Sequence, residues 1–236
     1  MAGYDPGAVA LDWRLSVDFL ELLHDDTRAR VLESCRRVTH RAGHVAEFPR
    51  EAASGVIESG LVRGYQVAED GREATVGYLY PREYLGSLHA LMPQPVVFIQ
   101  NVTDTVVLQL ADGMFKALIE ANVDFAHAFA VHTTTLLARM VRVVTVRTLG
   151  TVRQRLAFDL LERATEKQLR SGLLEFEVTQ QQLAGGIGTA REVVSIELGE
   201  LRDEGIVSTR PRHVRIEDPA RLAGILRFLT DIEVPA

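Results

Sequence analysis

Cysteine occurs once in the 236 residues, at Cys35. That excludes an internal disulfide and any multi-cysteine zinc or iron–sulfur site built within the chain. Lysine is scarce: only Lys116 and Lys167 of the 26 basic residues are lysine, and neither follows a glycine, so no phosphate-binding P-loop is present. The patterns G-x-S-x-G, H-E-x-x-H and C-x-x-C are also missing, which leaves no enzyme signature. Positive charge is in deficit. A formal net charge of −6 argues against a protein that coats nucleic acid without regard to sequence. Sequence-specific binding is untouched by that argument, because it depends on where the arginines sit. No apolar run approaches the ~20 residues of a membrane span. Residues 1–19 lack the basic start and apolar block of a signal peptide. A cytoplasmic protein without membrane contact is expected.

The length suits two compact domains. The most informative stretch is 178–216. Thr179 and Gln182 have the spacing of a capping box, which satisfies orphan backbone donors at a helix start. Leu183, Ala184 and Ile187 are the buried positions of that helix. Gly188 can adopt the left-handed backbone that reverses the chain. Thr189 and Glu192 offer a second capping box, and Val193, Val194, Ile196, Leu198 and Leu201 carry a second helix forward. Arg191, Glu192 and Ser195 fall on its other side. Gly205 stops it, and 206–216 alternate around Pro211 as a short hairpin with Arg210, Arg212 and Arg215 along it. The pattern predicts a winged helix-turn-helix.

Groove geometry explains such a shape. A major groove admits one α-helix, whose first turn reaches base edges. Ala190, Arg191, Glu192 and Ser195 occupy that turn and its outer face. Arg191 suits guanine acceptors, and Glu192 suits the cytosine amino group. Thr179, Gln180 and Gln181 sit where a first helix crosses the backbone, and they position rather than specify. Arg210 and Arg212 serve the wing. The alternative is a helical hairpin inside a core, with Arg191 and Glu192 an ordinary solvated pair. The basic hairpin that follows favours DNA.

These residues resemble the DNA-binding domain of the cyclic-AMP receptor protein and fumarate–nitrate regulator (CRP/FNR) family. The matching pieces are T-x-x-x-L-A at 179–184, G-x-x-R-E at 188–192, V-S at 194–195 and L-x-x-x-G-I at 201–206. In that family the Arg-Glu pair and an arginine four residues after the Glu read the operator. Arg191 and Glu192 match; the third position is Ile196.

Residues 16–37 read as short helices, VDFLELL after Ser16 and TRARVLESCRRV after Asp26. Between 38 and 111, strand-like runs at 56–57, 61–67, 74–79, 96–102 and 105–110 are broken by Gly, Pro, Asp and Asn, as in a β-sandwich or barrel. ESGLVRGYQV resembles the glycine-turn strand pair of the cyclic-nucleotide-binding β-roll. GYLYPREYLGSL resembles the approach to its phosphate cassette, and ADGMFKALIEANVDF the helix that closes it. The resemblance implies an effector pocket around Gly86, Ser87, Leu88, Val96, Val97 and Met140.

That pocket departs from what cyclic AMP requires: a glutamate for the ribose and an arginine for the phosphate. The family's Gly-Glu-Leu is Gly86-Ser87-Leu88 here, and Pro95, Val96 and Val97 occupy the region of the arginine. No arginine lies between Arg82 and Arg139. A buried cyclic phosphate without a cation is hard to stabilise. Met140 and Val141 replace the family's adenine-facing Thr-Ser. Control by something other than cyclic AMP is expected.

Residues 122–147 contain a β-branched run at 141–146 that favours strand. No turn interrupts them, and Phe129, Leu136, Met140 and Val143 recur at helical spacing. A long helix is expected, its apolar stripe paired with that of a second copy. Thr148–Thr151 around Gly150 then forms a hinge, 152–169 an amphipathic helix, and Asp218-Pro219 starts a final helix. His40 and His44 sit in a strand-rich region, and His127 and His132 point to different sides of a helix, so no metal is expected. His89 follows the cassette and could ligate haem in a gas sensor, although a single histidine is more often a surface or core residue than a ligand.

The expected fold is α+β: a β-roll sensor-like domain at 1–121, a dimerisation helix and hinge at 122–149, and a winged helix-turn-helix at 150–236. The expected function is a dimeric transcription regulator, not an enzyme, with no cofactor. Its expected partners are a palindromic double-stranded DNA site, a second copy and RNA polymerase. A haem-based gas sensor on the same fold, and a module whose helix-turn-helix contacts protein instead of DNA, are the alternatives.

Overall fold

A computed structural model describes residues 16–46, 54–71, 73–86, 91, 97–111, 113–163 and 174–226. These divide into two compact units, 16–66 with 76–138, and 139–226 with 67–75. The α+β class, the β-rich first part, the long helix and the winged helix-turn-helix are as the sequence implies.

The first unit opens with a turn, not the helix expected for VDFLELL. Asp18 Oδ1 accepts from the Leu20 amide at 3.1 Å and ties the chain into a bend that buries Phe19 and Leu23. Helix α1 (Asp25–Glu33) follows, with Asp25 and Asp26 at its positive end. It stops earlier than expected. Cys35–His40 forms strand β1, paired antiparallel with a later strand in the register Cys35↔Leu110 to His40↔Thr105. A long-range partner strand outweighs the helical preference of SCRRV.

Six further strands complete the roll: β2 (Gly55–Ser59), β3 (Val62–Val67), β4 (Glu73–Leu79), β5 (Tyr84–Leu85), β6 (Phe98–Asn101) and β7 (Thr105–Leu110). They form two sheets, β1-β7-β2-β5 and β4-β3-β6. The expected glycine-turn pair, β2 and β3, therefore does not pair with itself. Gly60 (φ 102°) carries the chain from one sheet to the other. A Cβ there would lie 2.6 Å from the Asp104 carbonyl oxygen, so only glycine fits.

Helices α2 (Met114–Ala121) and α3 (Val123–Leu149) follow. Tyr84 is fully buried, its ring 4.8 Å from Phe19 and 5.8 Å from Phe129 on α3. The His132 ring bonds the Tyr84 carbonyl through Nε2 at 3.1 Å. This aromatic knot fixes β5, where the cassette begins, against α3. The 141–146 run is helical despite its β-branching. Val143 and Val146 are buried, and the Thr145 hydroxyl bonds back to the Val141 carbonyl at 2.9 Å. By length and composition α3 is long and apolar enough to cross a membrane, although Arg139, Arg142 and Arg147 interrupt it.

In the second unit, α4 (Val152–Arg163) begins on a capping box. Gln154 N–H donates to Thr151 Oγ1 at 3.2 Å and Thr151 N–H to Gln154 Oε1 at 2.9 Å. The helix is less amphipathic than expected. Every residue from Leu156 to Glu162 is buried, and buried Asp159 pairs with Arg163 at 2.7 Å. The expected continuation to 169 lies outside the described residues. Strand β8 (Leu174–Glu177), helices α5 (Gln180–Ile187) and α6 (Arg191–Asp203), strands β9 (Val207–Arg210) and β10 (His213–Ile216), and helix α7 (Pro219–Gly224) follow. Asp218 caps α7 through the Arg221 amide at 2.9 Å, with Pro219 in the first turn. Leu156, Leu160, Leu183, Val194, Leu198, Leu201 and Ile216 join in one core. Each contributes about 1.5–3 kcal/mol on burial.

Candidate nucleic-acid interface

The first helix of the reversal, α5, starts on a full capping box. Thr179 Oγ1 accepts from the Gln182 amide at 3.1 Å, and Gln182 Oε1 accepts from the Thr179 amide at 2.8 Å. Gly188 ends it in the left-handed region (φ 67°, ψ 50°), its N–H donating to the Ala184 carbonyl. Thr179 and Gln180 are half-exposed, and Gln181 is exposed.

The second expected capping box, Thr189 with Glu192, does not form. The Thr189 amide bonds the Ala184 carbonyl at 3.0 Å, which holds Thr189 inside the turn. The N-cap is Ala190, and no side chain caps the first turn of α6. Its amides are left as donors at the helix's positive end, the arrangement that suits an anion. Ala190, Arg191, Glu192 and Ser195 are all exposed. The opposite face, Val194, Leu198 and Leu201, is buried.

The wing has three strands, in the order β8-β10-β9. Strand β8 is not among the elements expected from the sequence; its alternation L-E-F-E, with Leu174 and Phe176 buried, is the signal that identifies it. It pairs with β10 from Leu174↔Ile216 to Glu177↔His213. The β9–β10 turn is Pro211-Arg212, with Arg212 at φ 63°, a backbone region that L-residues enter at a cost of roughly 1–2 kcal/mol. The Arg212 carbonyl accepts from the Val178 amide at 2.8 Å and holds the tip in place. Arg210 and Arg212 are exposed, whereas Arg215 is half-exposed and paired with Glu217 at 3.3 Å. Among the described residues, Arg191, Arg210 and Arg212 have no ion-pair partner. Three unneutralised cations thus lie on the second helix and the wing.

The residues expected around an effector are placed unevenly. Gly86 and Val97 lie in the first unit, and Gly86 ends β5 at φ 89°. Met140 lies on α3 in the second unit and is exposed. Ser87, Leu88, Val96 and the haem candidate His89 lie outside the described residues. Burial pushes the Cys35 thiol above its ordinary range, which works against a redox switch. The rings of His40 and His44 stack at 5.3 Å.

The cyclic nucleotide-binding domain family matches residues 42–122, and the Crp-like helix-turn-helix domain family matches residues 154–225. The cyclic AMP receptor protein of Thermus thermophilus is 32% identical over 176 residues, which cover 72% of this chain and 77% of that protein. The chain belongs to the CRP/FNR family of transcription regulators. This regulator is also 27% identical to transcriptional regulator SdrP of the same organism over 189 residues, 77% of this chain and 89% of that one. A solved CRP/FNR-family regulator, again from Thermus thermophilus, superposes with a TM-score of 0.64 at 24% identity, over 80% of this chain and 97% of the other. The regulator therefore carries its family's helix-turn-helix domain over residues 154–225.

Proposed function

We propose that this regulator acts in the cytoplasm as a homodimer. It reads a palindromic DNA site through α6, with Thr179, Gln180, Gln181, Arg210 and Arg212 on phosphates and Ala190, Arg191, Glu192 and Ser195 toward the bases. The observation that carries this reading is the set of exposed, unpaired arginines on α6 and the wing, beside a first turn without a side-chain cap. In this reading residues 1–121 are sensor-like, 122–149 dimerise and 150–236 bind DNA. RNA polymerase is the further partner. The dimer is supported by a row of apolar side chains on α3, Leu137, Met140, Val141 and Val144, exposed at 62%, 36%, 61% and 57%. Their spacing of three and four residues is that of a seam between helices. The row shares Met140 with the stripe read in the sequence, whose Phe129 and Val143 are buried within the chain itself.

Cyclic AMP is not the controlling ligand in this reading, although a relative 32% identical bears its name. The decisive feature is the absence of arginine from 83 to 138. The test of the whole is selection of the full-length protein against a random-sequence DNA pool. Enrichment of one palindrome with half-sites about one turn apart is expected. Enrichment of no sequence would overturn the DNA reading and favour a protein-contacting module.

A further inference from the structure

We propose that Ile196 is a specificity-determining residue that reads the C5-methyl group of a pyrimidine in the major groove, with Gly199 keeping the helix surface beside it open. The inference rests on the reading that α6 enters DNA. Ile196 is 62% exposed, and among the described residues of 150–226 no other large apolar side chain is exposed to that degree. A single exposed apolar residue would mean little on an ordinary surface. Its position gives it meaning. At about 100° per residue, Glu192, Ile196 and Gly199 share one narrow strip of α6, facing away from buried Val194, Leu198 and Leu201.

Gly199 is the second, independent observation. Glycine in a helix interior destabilises it relative to alanine. Here no neighbour demands it: a Cβ at 199 would meet only Arg202 Nη2, at 3.9 Å. Nothing among the described residues explains the missing side chain, whereas an external surface pressed against this strip does. That surface must also accept an isoleucine that makes no hydrogen bond. On the major-groove floor the apolar group that meets this demand is the pyrimidine C5-methyl. Thymine supplies it, and so does 5-methylcytosine.

The experiment uses the full chain and its selected operator. Each thymine is replaced singly by deoxyuridine, which removes only the methyl, and each cytosine singly by 5-methylcytosine. For the wild type, one deoxyuridine position per half-site should weaken binding about fourfold, the equivalent of one buried methyl at about 0.8 kcal/mol. A gain of similar size from 5-methylcytosine, with no deoxyuridine effect, would support the same contact with the modified base as its source. In Ile196→Ala that sensitivity should vanish while discrimination at the other positions persists. Gly199→Ala should raise the melting temperature and weaken operator binding together, an outcome that a purely structural glycine cannot give. The inference is overturned if no methyl substitution changes wild-type affinity, or if Ile196→Ala keeps the wild-type methyl dependence. Either result leaves DNA binding itself intact. Failure to select any DNA overturns the underlying reading as well.

Discussion

Arg155 Nη1 on α4 donates to the carbonyl oxygen of Ile187, the last residue of α5, at 3.0 Å. Arg147 Nη2 on α3 does the same for Gly186 at 3.2 Å. The last four carbonyls of a helix have no partner within it, and a cation suits its negative end. Two arginines thus close the first helix of the reversal from two neighbouring helices. Gly186 itself fits closely, since a Cβ there would lie 3.0 Å from Asp159 Oδ1. These contacts hold the C-terminal end of α5 against α3 and α4.

The first prediction is that Arg155→Ala destabilises the protein by about 1.5 kcal/mol, the low end of the range for a hydrogen bond to a charged group. The effect sits at that low end because Arg155 Nε is already buried without a partner among the described residues, and the substitution removes that cost. Urea unfolding followed by circular dichroism gives the value. An unchanged midpoint would mean that water replaces the guanidinium at no loss.

Base and phosphate contacts should separate. Arg191→Ala is expected to weaken operator binding by about 1–3 kcal/mol and to relax preference at one base pair per half-site. Arg212→Ala should weaken all sequences alike and flatten the salt dependence. Fluorescence anisotropy on operator variants at two salt concentrations measures both. Wild-type preference at every base in Arg191→Ala would remove that residue from the readers.

The quaternary prediction follows from exposure on α3. Leu137→Glu or Val141→Glu should yield monomers and reduce DNA affinity without lowering the melting temperature of the monomer. Val143→Ala lies in the core instead, and should cost about 1–3 kcal/mol of stability while leaving self-association intact. Sedimentation of each variant against the wild type distinguishes these effects. A wild type that remains monomeric at every concentration would refute the dimer.

The helix-turn-helix was legible in the sequence because its signals are local. The Thr179–Gln182 box, Gly188 and the 3.6-residue spacing from Val194 to Leu201 all lie within a few residues of each other. Errors arose where a distant partner decides. Cys35–Arg37 reads as the end of a helix and becomes a strand only because β7 lies beside it. The glycine-turn strands β2 and β3 are adjacent in sequence, but Gly60 delivers them to different sheets, which no local pattern shows. The stripe Phe129, Leu136, Met140 and Val143 mixes exposed Met140 with buried Phe129 and Val143 because periodicity shows only that α3 has an apolar side. It does not show which apolar residues, Val143 or Val144, the protein's own core takes.

Glu197 on α6 offers a pH test. Its carboxyl is pushed above the usual range, first by burial, then by Glu200, with Arg153 acting in the opposite direction. A carboxyl raised in the folded state stabilises below its unfolded pKa, and that contribution is lost as pH rises through the folded value. At neutral pH the ionised Glu197 therefore weakens the fold. Glu197→Gln should raise the melting temperature at pH 7, and the gain should shrink as pH falls through the usual glutamate range. A gain that does not vary with pH would point to packing rather than charge.

The last prediction is that neither cyclic AMP nor cyclic GMP binds tightly enough to control DNA binding. A cyclic phosphate buried in the roll needs a cation, or it costs several kcal/mol, more than base stacking recovers. Arg82 is the nearest arginine in sequence to the cassette, and it is held elsewhere. Its Nη1 donates to Asp18 Oδ2 at 2.9 Å, and its carbonyl accepts from the Phe19 amide at 2.9 Å. Its backbone sits at φ 75°, a strained turn that the amide bond to the Ile57 carbonyl holds in place. Redirecting the Arg82 side chain inward would break the Asp18 pair. Arg63 is also engaged, stacked 4.7 Å from the Tyr65 ring centre and bonded to Gln100 at 3.3 Å. Titration calorimetry with each nucleotide, paired with DNA binding in its presence and absence, decides the matter. No dissociation constant below ~10 μM, about −7 kcal/mol, and no change in operator affinity are expected. Tighter binding coupled to altered DNA affinity would show that another cation serves the phosphate, and would return this regulator to cyclic-nucleotide control.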